Sequence, residues 1–313
     1  MTGSPRRSAS IALVLTSLGA SLVLATACGD DGGVTADAGG DHDAGDDSDG
    51  AAPDGGGGGE PGYRTDLVGA IQLVESGTGG GVSVFAYLQD RPYAPRERRG
   101  VSSGDCALYD HEPAGECTPA CDGFCNANGV CEPYPEPASA GDITITGLRE
   151  ALLLVEGDFG YRPEPYPLGD LFADDAIITA VAAGAEVDAF ALSARGVAAL
   201  EDELGGWDLV DGVDFPITWT PSAAAARVQL SLRIGWHGAP YEMMLLCETA
   251  DDGTLTIPGE LIEEMLPFGG IGLFPHPSEM TRLHRSVVTT SVGPVELVVG
   301  SAAGINWSHN APN

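Results

Sequence analysis

The chain contains no lysine; all 14 of its basic residues are arginine. That absence excludes a lysine Schiff base and a phosphate-binding loop closed by lysine. Histidine is scarce at six residues, and aromatic residues make up only 6% of the chain. No G-x-S-x-G elbow, H-E-x-x-H pair or G-x-x-x-x-G-K-[ST] loop occurs, so the common signatures of serine hydrolases, zinc peptidases and nucleotide hydrolases are missing. His111-Glu112 opens like a zinc-peptidase motif but runs into Pro113, which a helix interior does not tolerate. Positive charge is also short. The formal net charge is −32, which repels nucleic acid and disfavours it as a partner. No motif calls for a cofactor or a metal.

One apolar run stands out. Ile11–Ala27 carries no charged residue, follows Arg6-Arg7 and ends at Cys28. It is too short for a comfortable membrane span and has the proportions of a signal-peptide core. Leu24-Ala25-Thr26-Ala27-Cys28, small residues ahead of a cysteine, resembles the lipobox of bacterial lipoproteins. The resemblance implies cleavage after residue 27 and acylation of Cys28, and acyl chains at one residue give a stable anchor. Loss of Arg6 and Arg7 takes the net charge from −32 to −34.

Residues 29–62 are Gly, Asp and Ala of low complexity, with ten acidic residues and neither lysine nor arginine. Such a segment has no apolar surface to bury. At this length it has a root-mean-square span of roughly 30–35 Å, extended further by self-repulsion. The expected division is a signal peptide over 1–27, a lipidated cysteine and acidic tether over 28–62, and a folded body over 63–313.

The body is long enough for a sizeable core, and its periodicity is that of strands. Leu67–Val74, Val82–Leu88, Asp142–Thr146, Ala151–Val155, Tyr241–Cys247 and Val295–Val299 read as strands. Val228, Leu230, Leu232 and Ile234 share one face, with Gln229, Ser231 and Arg233 on the other. A short helix is expected after Pro258, over Gly259–Leu266, and Ser193–Leu204 reads as a second. Many strands, few helices and no βαβ rhythm indicate an all-β protein, an immunoglobulin-like or jelly-roll-like sandwich.

Five cysteines, Cys106, Cys117, Cys121, Cys125 and Cys131, cluster ahead of a lone Cys247. With Cys28 acylated, six remain, an even number that reads as disulfides in an exported chain. The stretch Cys117–Cys131 resembles the end of an EGF-like cysteine-rich loop. Many connectivities are open; the expectation is an interleaved pair, Cys117–Cys125 and Cys121–Cys131, which leaves Cys106 and Cys247 to staple two strands. Cys247 shares its strand face with Tyr241, Met243 and Leu245, and Cys106 shares its own with Leu108.

Three further groups are candidates for function. Tyr161 and Tyr166, with Phe159, sit in the proline-rich stretch GDFGYRPEPYPLGD, where aromatic rings on a loop suit sugar stacking. The acidic run Glu201, Asp202, Glu203, Asp208, Asp211 and Asp214 contains carboxylates for glycoside hydrolysis, for calcium, or simply for a solvated loop. His276 and His284 flank Glu279 and are expected to be surface residues. The lipobox, acidic tether, cysteine cluster and AGDITITG segment together resemble a group of lipoproteins from Gram-negative predatory soil bacteria. That resemblance implies a lipid-anchored envelope protein and supplies no site residue beyond Cys28. The expected function is non-enzymatic binding or structural support at the outer membrane, with a protein or glycan as ligand. A carbohydrate-binding module is the first alternative and a carboxylate-dependent hydrolase the second.

Overall fold

A computed structural model describes residues 64, 66–76, 81–92, 97–111, 123–125, 130–158, 160–200, 204, 206–222, 226–235, 241–268 and 278–310. The lipobox, the whole tether, Cys117 and Cys121 lie outside these residues, as do Phe159, Glu201, Asp202, Glu203 and His276. None of the described helices is long and apolar enough to cross a membrane.

The chain is all-β and sandwich-like. Its strands are β1 (Gly69–Ser76), β2 (Val82–Leu88), β3 (Glu97–Ser103), β4 (Cys106–His111), β5 (Phe124–Cys125), β6 (Cys131–Glu132), β7 (Ile143–Thr146), β8 (Leu152–Gly157), β9 (Gly160–Pro163), β10 (Ile177–Ala182), β11 (Phe190–Arg195), β12 (Trp207–Val210), β13 (Phe215–Thr218), β14 (Arg227–Gly235), β15 (Tyr241–Ala250), β16 (Thr254–Ile257), β17 (Ser278–Thr289), β18 (Pro294–Ile305) and β19 (Trp307–Asn310). Among the described residues one helix, α1 (Gly259–Met265), runs into a 3-10 turn, Leu266–Phe268. The layers come from a single sheet bent back on itself. Thirteen strands follow the order β11-β10-β7-β8-β9-β2-β1-β18-β17-β14-β15-β4-β3, and β11 packs against β17 and β18 without a ladder.

The hairpin of β17 and β18 is the axis of this arrangement. Both strands are 12 residues long, and each end serves a different core. At one end Val295, Leu297 and Val299 join Ile71 and Leu73 of β1, Ile143 and Ile145 of β7, Ile178 of β10 and Leu192 of β11. At the other, Met280, Ala303 and Ile305 join the inward faces of β14, β15 and β4. The turn between the strands needs Gly293. Its φ is +143°, and a Cβ there would lie 2.5 Å from Val68 Cγ1.

The first core is enclosed by strands. The strict alternation in β7, β10 and β11, with every second residue buried, is what a half-buried sheet requires. The second core is covered by separate pieces: the parallel pair β12–β19, the antiparallel pair β13–β16, and α1. Helix α1 presents Leu261, Ile262 and Met265 to this core, with Leu266 beside them, the apolar face expected from the sequence. Pro258 stands at its N-cap position and offers no side-chain bond; the Gly259 N–H instead donates to Asp214 Oδ1 at 2.7 Å.

One expectation about elements needs correction. Ser193–Leu204 is not a helix: Ser193–Arg195 ends β11, and residues 196–200 form no regular element. Its alanines favour helix locally, but Phe190, Leu192 and Ala194 are buried at a period of two by pairing with β10. The bend Asp251-Asp252-Gly253 joins β15 to β16 without forming a hairpin, because β16 pairs with β13.

Candidate functional site

The cysteine staple forms as expected. Cys106 and Cys247 are disulfide-bonded across β4 and β15, directly opposite one another in the ladder. The Glu248 N–H donates to the Asp105 carbonyl, which makes this the non-hydrogen-bonded kind of cross-strand pair, where side chains approach most closely. Both cysteines are fully buried in the second core. Cys131 is also disulfide-bonded. The interleaved pairs expected with Cys117 and Cys121 lie outside the described residues.

The aromatic candidates are placed differently from expectation. Tyr161 is not a loop residue but part of β9, 2% exposed inside the first core, where its hydroxyl accepts the Ala140 N–H at 2.7 Å. Alternation with Pro163 turns it inward, so it is no ligand platform. Tyr166 is half exposed, yet its hydroxyl donates to the Val82 carbonyl at 2.9 Å and accepts the Val84 N–H at 3.3 Å. It takes the place of a neighbouring strand along β2, where β9 supplies only the pairing of Ala86 with Tyr161. The same strap is pinned again further on. Glu75 Oε1 accepts the N–H groups of Leu171 and Phe172, and burial pushes the Glu75 carboxyl above its ordinary value despite those bonds.

The described acidic residues of the 201–214 segment do not converge. Asp208 is exposed on β12, with Ser308 Oγ donating to it at 3.3 Å. Asp214 instead caps α1. It does line an open groove of about 400 Å³, together with Ser103, Asp105, Thr249, Asp252 and Thr256. Asp252 Oδ1 in turn accepts the Thr254 N–H at 3.0 Å. The groove presents carboxylates and hydroxyls, but two of its three carboxylates are engaged in holding local backbone. Glu279 and His284 fall on opposite faces of β17, and no cluster of three or more metal-ligating side chains occurs among the described residues.

The electrostatic features that sequence reading missed are two. The first is a buried ion pair between Arg282 and Asp251, with side chains 3% and 1% exposed and Nε and Oδ2 separated by 2.8 Å. Arg282 Nη1 also donates to the carbonyls of Ala198 and Ala199, and Nη2 donates to Thr220 O and Asp251 Oδ1. Asp251 additionally accepts the Trp219 indole N–H and the Ser222 N–H. The guanidinium thus ties three separate loop segments to β17. The second is a belt on the opposite face of the sheet. Glu248 accepts from Arg227 at 2.7 Å, from Arg285 at 2.6 Å and from Gln229 at 3.3 Å, and Arg285 lies 3.5 Å from Glu296.

No protein-family model matches the chain, and it matches no curated protein and no solved structure.

Proposed function

We propose that this is an exported lipoprotein, acylated at Cys28 and held off the outer membrane by its acidic tether, with a non-enzymatic binding or structural role. The observation that carries this reading is the buried Cys106–Cys247 disulfide. Structural disulfides belong to oxidising compartments, and a chain with a signal-like run ending at Cys28 has a route to one. The long acidic segment between Cys28 and Arg64 fits a spacer, and the staple fits a body that must persist outside the cell. Tyr161 and Tyr166 are engaged in packing and strand capping, so a glycan-binding reading has no support from the residues that suggested it.

The test is mass spectrometry of the mature N-terminus after growth with an alkyne-tagged fatty acid. The expected result is a chain beginning at Cys28 and carrying the tag, with Cys28→Ser losing both tag and membrane association. A mature chain that begins elsewhere, or a membrane fraction unchanged by Cys28→Ser, overturns the reading.

A further inference from the structure

The outer face of β8, β7, β10 and β11 has a composition unlike the rest of this acidic chain. Its residues are exposed or, like Thr179, half-buried, and none of those in its centre is charged. The ladders place Thr146, Thr179 and Ser193 side by side in one row across β7, β10 and β11, with Thr179 Oγ1 and Ser193 Oγ 2.9 Å apart. Apolar side chains stand on both sides of this row: Leu153 and Val181 on one, 42% and 45% exposed, and Ile177 on the other, 54% exposed. At its margins Arg195 and Asp175 are paired with one another at 2.8 Å, and Arg162 of β9 stands exposed opposite Val155 of β8. Gly147 lets β7 end here against β10, since a Cβ at this residue would lie 1.9 Å from the Ile177 carbonyl oxygen.

We infer that this face is where two copies of the chain meet on the membrane. The inference rests on the lipid-anchored reading above. Three observations support a second copy as the occupant. Each mature body and tether carries a net charge near −34, so two copies repel through most of their surface, whereas an uncharged face brings no like charges into direct contact with its own copy. The outward pattern along β10, Ile177-Thr179-Val181, reads apolar, hydroxyl, apolar in either direction. A two-fold axis at Thr179 therefore lays threonine on threonine and isoleucine on valine, the self-complementarity that an isologous contact demands. The size of the face fits a contact that needs the anchor. Four strands about 4.8 Å apart and some five residues long give roughly 300 Å², against about 800 Å² per partner for a stable soluble interface. Tethers with a span of roughly 30–35 Å, anchored in one plane, raise the effective concentration and make such a weak contact sufficient.

The experiment uses the full chain in membranes of a lipid-acylating bacterium, with Val181→Cys as the probe, Val287→Cys, at an exposed position of β17, as the control, and the unaltered chain as background. A short bis-maleimide is added after membrane isolation. The expected result is at least about fivefold more cross-linked homodimer from Val181→Cys than from Val287→Cys. The yield rises between about 20 mM and 500 mM salt as repulsion is screened and falls to background when Cys28→Ser releases the chain. Equal yields from the two probes, or a product joining Val181→Cys to a different protein, overturns the inference. Absence of dimer in a chain whose Cys28 carries the fatty-acid tag overturns the dimer and leaves the anchor standing; absence of the tag overturns both.

Discussion

The two ends of the β17–β18 hairpin solve the same problem in different ways. Around Val295–Val299 the sheet encloses its own core, strand after strand, and the side chains it buries are nearly all apolar. Around Met280 and Ala303–Ile305 the sheet runs out, and two short ribbons and α1 cover the core. The second end is the one that carries the described disulfide and the buried Arg282–Asp251 pair. The difference is instructive because a ladder fixes each strand through many regular hydrogen bonds. A cover made of pieces from distant parts of the chain lacks that continuity, and specific links take its place. Arg282 holds residues 198–199, Thr220 and Asp251 at once. Cys106–Cys247 fixes the outer strands beneath that cover.

The sharpest way to break this contrast is at Arg282. Removing one partner of a buried ion pair strands the other, at a cost of about 3–5 kcal/mol, a large share of a typical domain's stability of about 5–15 kcal/mol. Arg282→Ala and Asp251→Ala are each expected to lower the unfolding free energy from denaturant titration by that much, and the double variant by much less than the sum. Additive losses would show that the pair is not coupled. A Leu192→Ala change in the strand-enclosed core gives the ordinary cavity cost of about 2–5 kcal/mol with no coupling to either residue.

Next in size is the disulfide. Replacing Cys106 and Cys247 together by serine is expected to cost about 2–4 kcal/mol. The loss should show first as hydrogen exchange in β4 and β15, while β7, β10 and β11 keep their protection. A uniform loss of protection across both ends would mean that the two cores unfold as one unit, and the contrast between them would then be geometric only.

How much of this was legible follows the range of the interactions. Val228, Leu230, Leu232 and Ile234 announce their buried face by alternation, and all four lie in the second core. The apolar face of α1 was equally readable. The Cys106–Cys247 link was accessible because each cysteine shares a strand face with residues that proved to be core. Tyr161 was not, since its proline-rich surroundings read as a loop and its hydroxyl partner, Ala140, is 21 residues away. The alanines after Ser193 read as helix because propensity is local, whereas β10 supplies the pairing that decides. Arg282 and Asp251 lie 31 residues apart, each in an ordinary polar context. The one sign was an arginine on the same strand face as Met280, inward once that face is assigned. Cys28 and the tether are legible as sequence alone and lie outside what the structure describes.

The smallest expected effect sharpens the comparison on the outer face of the sheet, where the belt around Glu248 replaces the neutral face of β7 and β10. Burial alone pushes the Glu248 carboxyl up, but Arg285 and Arg227 outweigh it and hold the group below the ordinary 4.5. At Glu296 burial prevails over Arg285 and Arg64, with Glu248 and Asp66 adding repulsion, and the carboxyl stands above 4.5. The signs are opposite. The Glu248 contribution to stability is present above pH 4.5 and is lost as pH falls through its lower native value. The Glu296 contribution is complete below pH 4.5 and is lost as pH rises through its higher native value. Glu248→Gln is therefore expected to cost about 1–3 kcal/mol at neutral pH, the range for hydrogen bonds to a charged group, and progressively less in acid. Glu296→Gln is expected to raise the urea midpoint near neutrality and to leave it unchanged in acid. Midpoints measured from pH 3 to pH 8 distinguish the two variants. Parallel curves would mean that the belt acts as a single charge rather than as one satisfied carboxylate beside one that burial leaves short of compensation.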